Sequence, residues 1–433
     1  MGRDKLTKTL NVYLNKFLVG YLNKETSGAI NFKYDEEWIK TNYAISNSLP
    51  VDEVVYRGEV VTRFFDNLLP DNDDIKKLVA TKFGAESTRP FDLLSVIGRD
   101  CVGALTFIPE GLEVPDSEGA LEFKSISEAK IAKRIRELGS KSPLGMNDGD
   151  FRISIAGAQE KTALLKIKNK WCEPIGITPT THIIKKSVGA LNLTIDFKDS
   201  IDNEWASLYL MKKLGMNCCN VHIESFEDQR VLTVERFDRR WAKNKKGQDV
   251  LYRVPQEDFC QVFGISPYHK YQKDGGPGIQ EISNFLKISK EKEDRKNFLK
   301  AIMVFDLLHA IDGHAKNFSV FLETTGVRLT PFYDVMSGYF LSKSSQLHEN
   351  KLKLAMKVGN SGHYNFKRIL KRHYEEMFIL CGFSKADFED ISTELKTKYE
   401  KLKIEDSELD PHLNRATLEI ILEGMGERSS KIL

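Results

Sequence analysis

The stretch Ile311-Asp312-Gly313-His314-Ala315-Lys316-Asn317 constrains the chain most. It sets an Asp five residues before an Asn, the separation found in protein-kinase catalytic loops. The spacing has a chemical reason. The Asp must accept a hydrogen bond from an attacking hydroxyl while the Asn offers a neutral oxygen to a magnesium ion, and both must reach one phosphoryl group. A chain that uses such a loop has to fold around a nucleotide. Taken alone the pattern is common by chance, and a plain polar loop is the alternative.

Other parts follow in order. Pro331-Phe332-Tyr333-Asp334 ends in an acid seventeen residues past Asn317. Segments 319–322 and 327–329 suit a hairpin that returns Asp334 to the loop as a second metal ligand; a strand-end Asp capping a turn is the alternative. Val335 follows it, where Phe-Gly would complete a D-F-G motif. Upstream, Thr181-His182-Ile183-Ile184-Lys185 resembles the strand that delivers a lysine to nucleotide phosphates, although a lysine ending an apolar strand is equally a solvated edge residue. Glu204 shares the apolar stripe of a predicted helix with Ile201, Trp205 and Leu208. A carboxylate there needs a cation, and Lys185 is a fitting partner. Ala156-Gly157-Ala158-Gln159-Glu160-Lys161 has small residues that let backbone N–H groups approach phosphate oxygens. The strand at 231–234 runs into Glu235-Arg236-Phe237, a connector placed to present main-chain groups to adenine, unless the run is simply core. Each piece is modest, and their order argues for phosphoryl transfer.

Bulk properties exclude little. The net charge is only +2, because 64 Lys and Arg nearly cancel 62 Asp and Glu, so any nucleic-acid surface must be local. The six cysteines form no C-x-x-C pair, which argues against structural zinc and for free thiols in a reducing compartment. Met1 to Leu10 has no apolar core of signal-peptide length, and no run of about 18 apolar residues occurs. No membrane partner and a cytoplasmic location are the expectation.

The first hundred residues predict short strands with one or two helices. Strands at 11–14 and 17–22 flank a tight turn, a helix over 60–69 ends at Pro70, and a strand covers 104–108. Further strands are expected at 163–167, 181–185, 220–224 and 231–234, with one helix over 200–214 stopped by Gly215. After about Arg240 the reading is mainly helical, through Phe298, Ile302, Phe305 and Leu308 and again over the charged tail 385–424.

Many of these segments together resemble the HipA kinase-toxin family of HipA–HipB toxin–antitoxin pairs. The matching runs include Phe64-Phe65-Asp66-Asn67-Leu68-Leu69-Pro70-Asp71, Arg89-Pro90-Phe91-Asp92-Leu93-Leu94, Phe151-Arg152-Ile153-Ser154, Ala156 to Leu165, Val234 to Trp241, Asp274-Gly275-Gly276-Pro277-Gly278 and Asp312 to Val320. The resemblance spans about residues 8 to 375. It implies an α+β, protein-kinase-like two-lobed fold, with a β-rich N-terminal subdomain and a mainly helical C-terminal lobe. The divisions expected are 1–110 for the subdomain, 111–145 for a connector, 146–240 for the kinase-like N-lobe and 241–433 for the helical lobe.

The resemblance also implies roles, with ATP and Mg2+ as cofactors. Asp312 would be the catalytic base, and Asn317 and Asp334 the magnesium ligands. Lys185 would contact phosphates, with Ala156, Gly157, Ala158, Gln159, Glu160 and Lys161 as the phosphate loop. Glu235, Arg236 and Phe237 would hold adenine, and His314, Ala315, Lys316, Asn317 and Tyr333 would complete the pocket. Ser154 matches a serine that such kinases phosphorylate on themselves. A phosphoserine there, carrying about −1.5 to −2 charges, would repel ATP and disorder the loop; a structural hydroxyl is the alternative.

The implied partners are a HipB-type helix-turn-helix antitoxin, operator DNA through the antitoxin complex, and a protein substrate such as the glutamyl aminoacyl-tRNA synthetase, whose modification slows translation and promotes dormancy. Nucleoid association would accompany the DNA complex. Lys367, Arg368, Lys371, Arg372 and His373 could touch DNA phosphates, although a solvated helix face is the commoner meaning of such a run. Two rival functions stand beside this one: a small-molecule phosphotransferase of the aminoglycoside-kinase type, and a catalytically idle co-repressor. The 257–278 insert, ending in Gly-Gly-Pro-Gly, could gate a protein substrate and so disfavours the first.

Overall fold

A computed structural model describes residues 8–112, 121–138, 143–146, 153–157, 159–190 and 196–433. They fall into two compact units. One holds the described residues up to Lys186 with 225–229 and 235–268; the other holds 187–224, 230–234 and 269–433.

The first unit opens with a five-stranded antiparallel sheet. Its spatial order is Val55–Arg57, Ile30–Tyr34, Phe17–Lys24, Lys8–Leu14 and Leu105–Pro109. Leu14 pairs with Phe17, so Asn15-Lys16 forms a two-residue hairpin turn. Asn15 has φ 53°, a left-handed conformation that Asn tolerates better than most residues. Leu10, Val12 and Leu14 alternate inward and meet the helices Glu59–Asp66, Asp73–Phe83 and Pro90–Ile97. The core they form runs through Phe64, Phe65 and Leu93 to Ile153, Ile155 and Ala163, which ties the 153–163 segment to the sheet. Each fully buried Phe or Leu stabilises this core by about 1.5–3 kcal/mol.

The helix expected over 60–69 stops at Asp66. Leu68 and Leu69 continue as tighter turns, their N–H groups donating to the carbonyls of Phe65 and Asp66. Pro70 explains the change, because the residue before proline is pushed out of the α region.

A second set of strands in this unit is also antiparallel: His182–Lys186 pairs with Lys161–Ile167, which pairs with Lys170–Pro174, which pairs with Phe123–Ser125. Arg239–Lys243 and Asp249–Arg253 form a further hairpin.

In the second unit the terminal helix Arg415–Ile432 packs on Ser200–Lys213, Asp294–Leu307 and Tyr339–Lys343. Gly424 allows this, since a Cβ there would lie 2.4 Å from the Tyr339 ring. Within the same contact Arg428 grips the buried Asp306 with two nitrogens, at 2.6 and 2.7 Å. Gly215, at φ 83°, ends the Ser200–Lys213 helix as expected. Two hairpins are absent from the sequence reading of the region after Arg240: Arg239–Lys243 with Asp249–Arg253 in the first unit, and Lys353–Val358 with His363–Asn365 here. The first is rich in charge and lacks the apolar alternation that marks a strand.

Candidate active site

The loop 312–317 lies in the second unit, between the helix Asp294–Leu307 and the strand Ser319–Leu322. Gly313 sits hard against Phe305, where a Cβ would come within 2.6 Å of the ring. The loop closes on itself. His314 N–H donates to the Asp312 carbonyl at 2.8 Å, Asn317 N–H to the His314 carbonyl at 2.9 Å, and Asn317 Nδ2 to the Asp312 carbonyl at 2.6 Å. Ala315, Lys316 and Asn317 are buried, while the Asp312 side chain is 39% exposed and therefore reachable.

The hairpin Ser319–Leu322 with Val327–Leu329 forms as the spacing predicts and returns the chain to this loop. Tyr333 OH donates to the Lys316 carbonyl at 2.9 Å, and Asn317 Nδ2 lies 3.5 Å from the Asp334 carbonyl. Asp334 itself is at φ 57°. A non-glycine residue persists there only when its neighbours hold it. Phe332 on one side exchanges main-chain bonds with Asn217 and Cys219, at 2.8 and 2.9 Å. Ser337 on the other exchanges two with the Asn203 side chain, at 2.6 and 2.8 Å. Asp312, Asn317, Tyr333 and Asp334 thus form one cluster. Glu204, next to Asn203, is buried on the same helix.

The donor set fits a hard divalent cation. With its amide nitrogen engaged, Asn317 keeps an oxygen for a ligand, and Asp334 adds a carboxylate. No group of three or more His, Cys, Asp or Glu gathers as a metal cage among the described residues. A magnesium ion, which keeps waters and substrate phosphates as ligands, needs only one or two protein oxygens.

The remaining predicted residues lie in the first unit. Lys161 and Lys185 are cross-strand partners, and both are buried. Gly157 is at φ 100°, a backbone conformation that residues with a Cβ rarely adopt. Its carbonyl accepts from Asp71 N–H at 3.2 Å, and Gln159 Nε2 donates to the Lys186 carbonyl at 2.7 Å. Ala156 and Glu160 are half-buried on this segment, and Ala158 lies outside the described residues. Ser154 is fully buried, its Oγ donating to the Leu68 carbonyl at 2.7 Å.

Arg236 turns its side chain into a buried ion cluster with Asp100, Asp238, Arg239 and Arg253. Its N–H donates to the Thr181 carbonyl at 2.9 Å. The strand Gln229–Glu235 ends here, and Phe237 follows in a turn.

Three residues of the site escaped the sequence reading. Tyr271 OH donates to Asp312 Oδ1. Asn203 pins Ser337. His309 is buried between the rings of Tyr339 and Phe366, with centroids 4.1 and 4.2 Å away, and burial pushes its pKa down to about 3. Only the Gly-Gly-Pro-Gly run beside Tyr271 gave any signal.

Residues 153–402 match the family described as HipA-like C-terminal domain, and residues 10–108 match the HipA N-terminal domain. A putative kinase of Sinorhizobium fredii, Y4mE, is 29% identical over 359 residues, 81% of each chain. The serine/threonine-protein kinase toxin HipA of Shewanella oneidensis is 29% identical over 344 residues, 76% of this chain and 75% of that one. The solved complex of Shewanella oneidensis HipA, HipB and operator DNA contains a chain of the same fold, with TM-score 0.75 and 23% identity over 98% of both chains. By fold and by relatives the molecule is an α+β serine/threonine kinase, a class that uses ATP. Within that class the chain belongs to the HipA family of kinase toxins.

Proposed function

We propose that Asp312 is the base of phosphoryl transfer from ATP to a seryl or threonyl hydroxyl of a translation component, an aminoacyl-tRNA synthetase such as the glutamyl enzyme. One observation carries this reading: an exposed carboxylate at Asp312 stands in the same hydrogen-bonded cluster as two oxygen donors suited to magnesium, Asn317 and Asp334.

Lys161 and Lys185 bind phosphate oxygens, and the 156–161 segment contributes backbone N–H groups. Glu235 and Phe237 meet adenine through their main chain. Arg236 holds their course from the buried side. His314, Ala315, Lys316 and Tyr333 shape the floor of the pocket. Asn317 and Asp334 hold Mg2+, which when bound neutralises phosphate charge. Asp312 accepts the hydroxyl proton as the bond from that oxygen to the γ-phosphorus forms and the bond to the bridging oxygen of ADP breaks. ADP leaves with the electron pair, and the proton passes from Asp312 to solvent.

Phosphorylation of Ser154 switches the kinase off. A phosphoryl group on this buried hydroxyl is incompatible with its bond to Leu68, so the 153–157 segment must leave, taking the phosphate loop with it. The toxin pairs with a HipB-type antitoxin and co-represses its operon with it on DNA; the relative solved with both supports this. In the 367–373 run Lys367 and Lys371 are each paired with an acid, Glu349 at 2.7 Å and Glu389 at 3.5 Å, which favours the solvated-face reading for those two residues. No helix among the described residues is long and apolar enough to cross a membrane, and we place the kinase in the cytoplasm.

The test is mass spectrometry after incubation with ATP and magnesium, with and without a synthetase and its tRNA, using wild type and Asp312→Ala. Phosphate on the synthetase only with wild type is the expected result. Retained transfer by the variant would overturn the base assignment.

A further inference from the structure

We infer that Tyr271 is a positioning residue for phosphoryl transfer: its phenol fixes the carboxylate of Asp312 so that one oxygen is held and the other is left for the substrate hydroxyl. The inference rests on Asp312 being the base. Tyr271 OH donates to Asp312 Oδ1, and His314 Nε2 lies 3.7 Å from the same oxygen. Oδ2 accepts no hydrogen bond among the described residues. A carboxylate with neither oxygen held rotates about its Cβ–Cγ bond, and a base works only within hydrogen-bond reach of the proton it takes.

The Tyr271 segment is built to deliver that contact. The Tyr271 carbonyl accepts from the N–H groups of both Asp274 and Gly276, each at 3.0 Å. This tight fold needs the glycines. Gly275 is at φ 99°, and a Cβ on Gly276 would stand 2.5 Å from the His269 carbonyl oxygen. Gly278 leaves room for the Gln272 side chain, whose Oε1 accepts from Lys357 N–H at 2.8 Å. Next to Tyr271, the Lys270 carbonyl accepts from Ala315 N–H at 3.2 Å, which joins the segment to the catalytic loop itself. The Tyr271 ring then meets His314 edge-on, with centroids 4.9 Å apart at 90°. The Gly-Gly-Pro-Gly run thus has a physical role: it lets the 269–278 segment curl closely enough to set one phenol on one carboxylate.

A phenol at that oxygen could instead block the base by standing where the substrate hydroxyl belongs. The open Oδ2 favours positioning, and the two readings predict opposite rates. The test compares wild type, Tyr271→Phe and Asp312→Asn by ADP release from ATP, with and without dephosphorylated casein as acceptor. Because ADP release includes slow attack by water, the assay does not depend on knowing the natural acceptor.

Tyr271→Phe keeps the ring and should lower kcat by roughly tenfold or more with the KM for ATP little changed. An unchanged or raised kcat, or a loss confined to the KM for ATP, overturns the inference. ATP titration calorimetry and thermal melting on the same samples separate a loss of rate from a loss of fold. If Asp312→Asn retains wild-type rate, the base assignment itself fails; if only Tyr271→Phe does, the failure is confined to the positioning role.

Discussion

Asn317 donates its side-chain amide to the main-chain carbonyl of Asp312 at 2.6 Å, so one residue sets the bend of the loop and, in the proposed site, has its own oxygen left for magnesium. Asn317→Ala removes both functions. It should lower kcat by about 100-fold, in the range seen when a preorganised polar group is lost from an active site. Asn317→Asp keeps an oxygen ligand but faces the Asp312 carbonyl with a carboxylate, and it should be inactive at low magnesium and partly restored at high. ADP release across a magnesium titration checks both, and identical magnesium dependence in all three proteins would remove Asn317 from the metal site.

Ser154 is fully buried and its Oγ donates to Leu68, so its two possible roles separate cleanly. Ser154→Ala leaves the Leu68 carbonyl without that donor and should cost about 1–2 kcal/mol in thermal or urea unfolding. In activity the sign reverses. Wild type incubated with ATP should slow with time as Ser154 gains phosphate, while Ser154→Ala should hold its initial rate. Parallel progress curves, with no phosphate on wild-type Ser154 by mass spectrometry, would leave only the structural role.

The parts of the site that lie close together in the chain were legible in the sequence. Asp312 and Asn317 share one loop, and the hairpin between 319 and 329 is written in two short apolar runs with Gly326 between them. The strand-end Lys185 and the helix at Glu204 follow from local periodicity in the same way. What stayed hidden depends on distant partners. Nothing around Tyr271 announces that its hydroxyl will meet Asp312, 41 residues on. Arg236 reads as part of a hinge, yet its side chain is used by Asp100, 136 residues earlier. His309 looks like a catalytic-loop histidine by position but is packed between two aromatic rings as a neutral plate.

Asp100 joins the N-terminal subdomain to the hinge. It accepts from Arg239 at 2.8 Å, Arg253 at 3.2 Å, Arg236 at 3.3 Å and the Thr180 hydroxyl at 2.6 Å. Burial alone would raise its pKa, but Arg239, Arg236 and Arg253 hold the carboxyl well below the usual range. Asp100→Asn would leave three buried guanidinium groups facing one carboxylate, Asp238. The expected cost is about 3–5 kcal/mol of stability, the range for breaking a buried ion pair from one side. Arg236 sits between Glu235 and Phe237, which are proposed to meet adenine, so the KM for ATP should rise more than kcat falls. Unfolding curves and ATP kinetics at reduced temperature check the two effects. A variant as stable as wild type would show that the cluster tolerates the missing charge.

Glu257 gives the fold a pH dependence of its own. It is buried, 1% exposed, and accepts from the Ser46 hydroxyl and from Asn47 N–H at 2.9 Å. Burial pushes its pKa up to about 8 from an ordinary 4.5, against those two hydrogen bonds, which pull it down. The folded protein therefore holds this proton more tightly than the unfolded chain does. Its stabilising contribution is complete below about pH 4.5 and is lost as the pH rises through about 8. Glu257→Gln keeps an acceptor for Asn47 and removes the titration. The variant should lose less stability than wild type between about pH 5 and pH 9, and should be the more stable of the two at the upper end. Urea midpoints across that range decide it. If the two curves run parallel, the Glu257 carboxyl changes its protonation equally in the folded and unfolded chain, and the segment 46–48 is held by Glu257 through hydrogen bonds that are indifferent to pH.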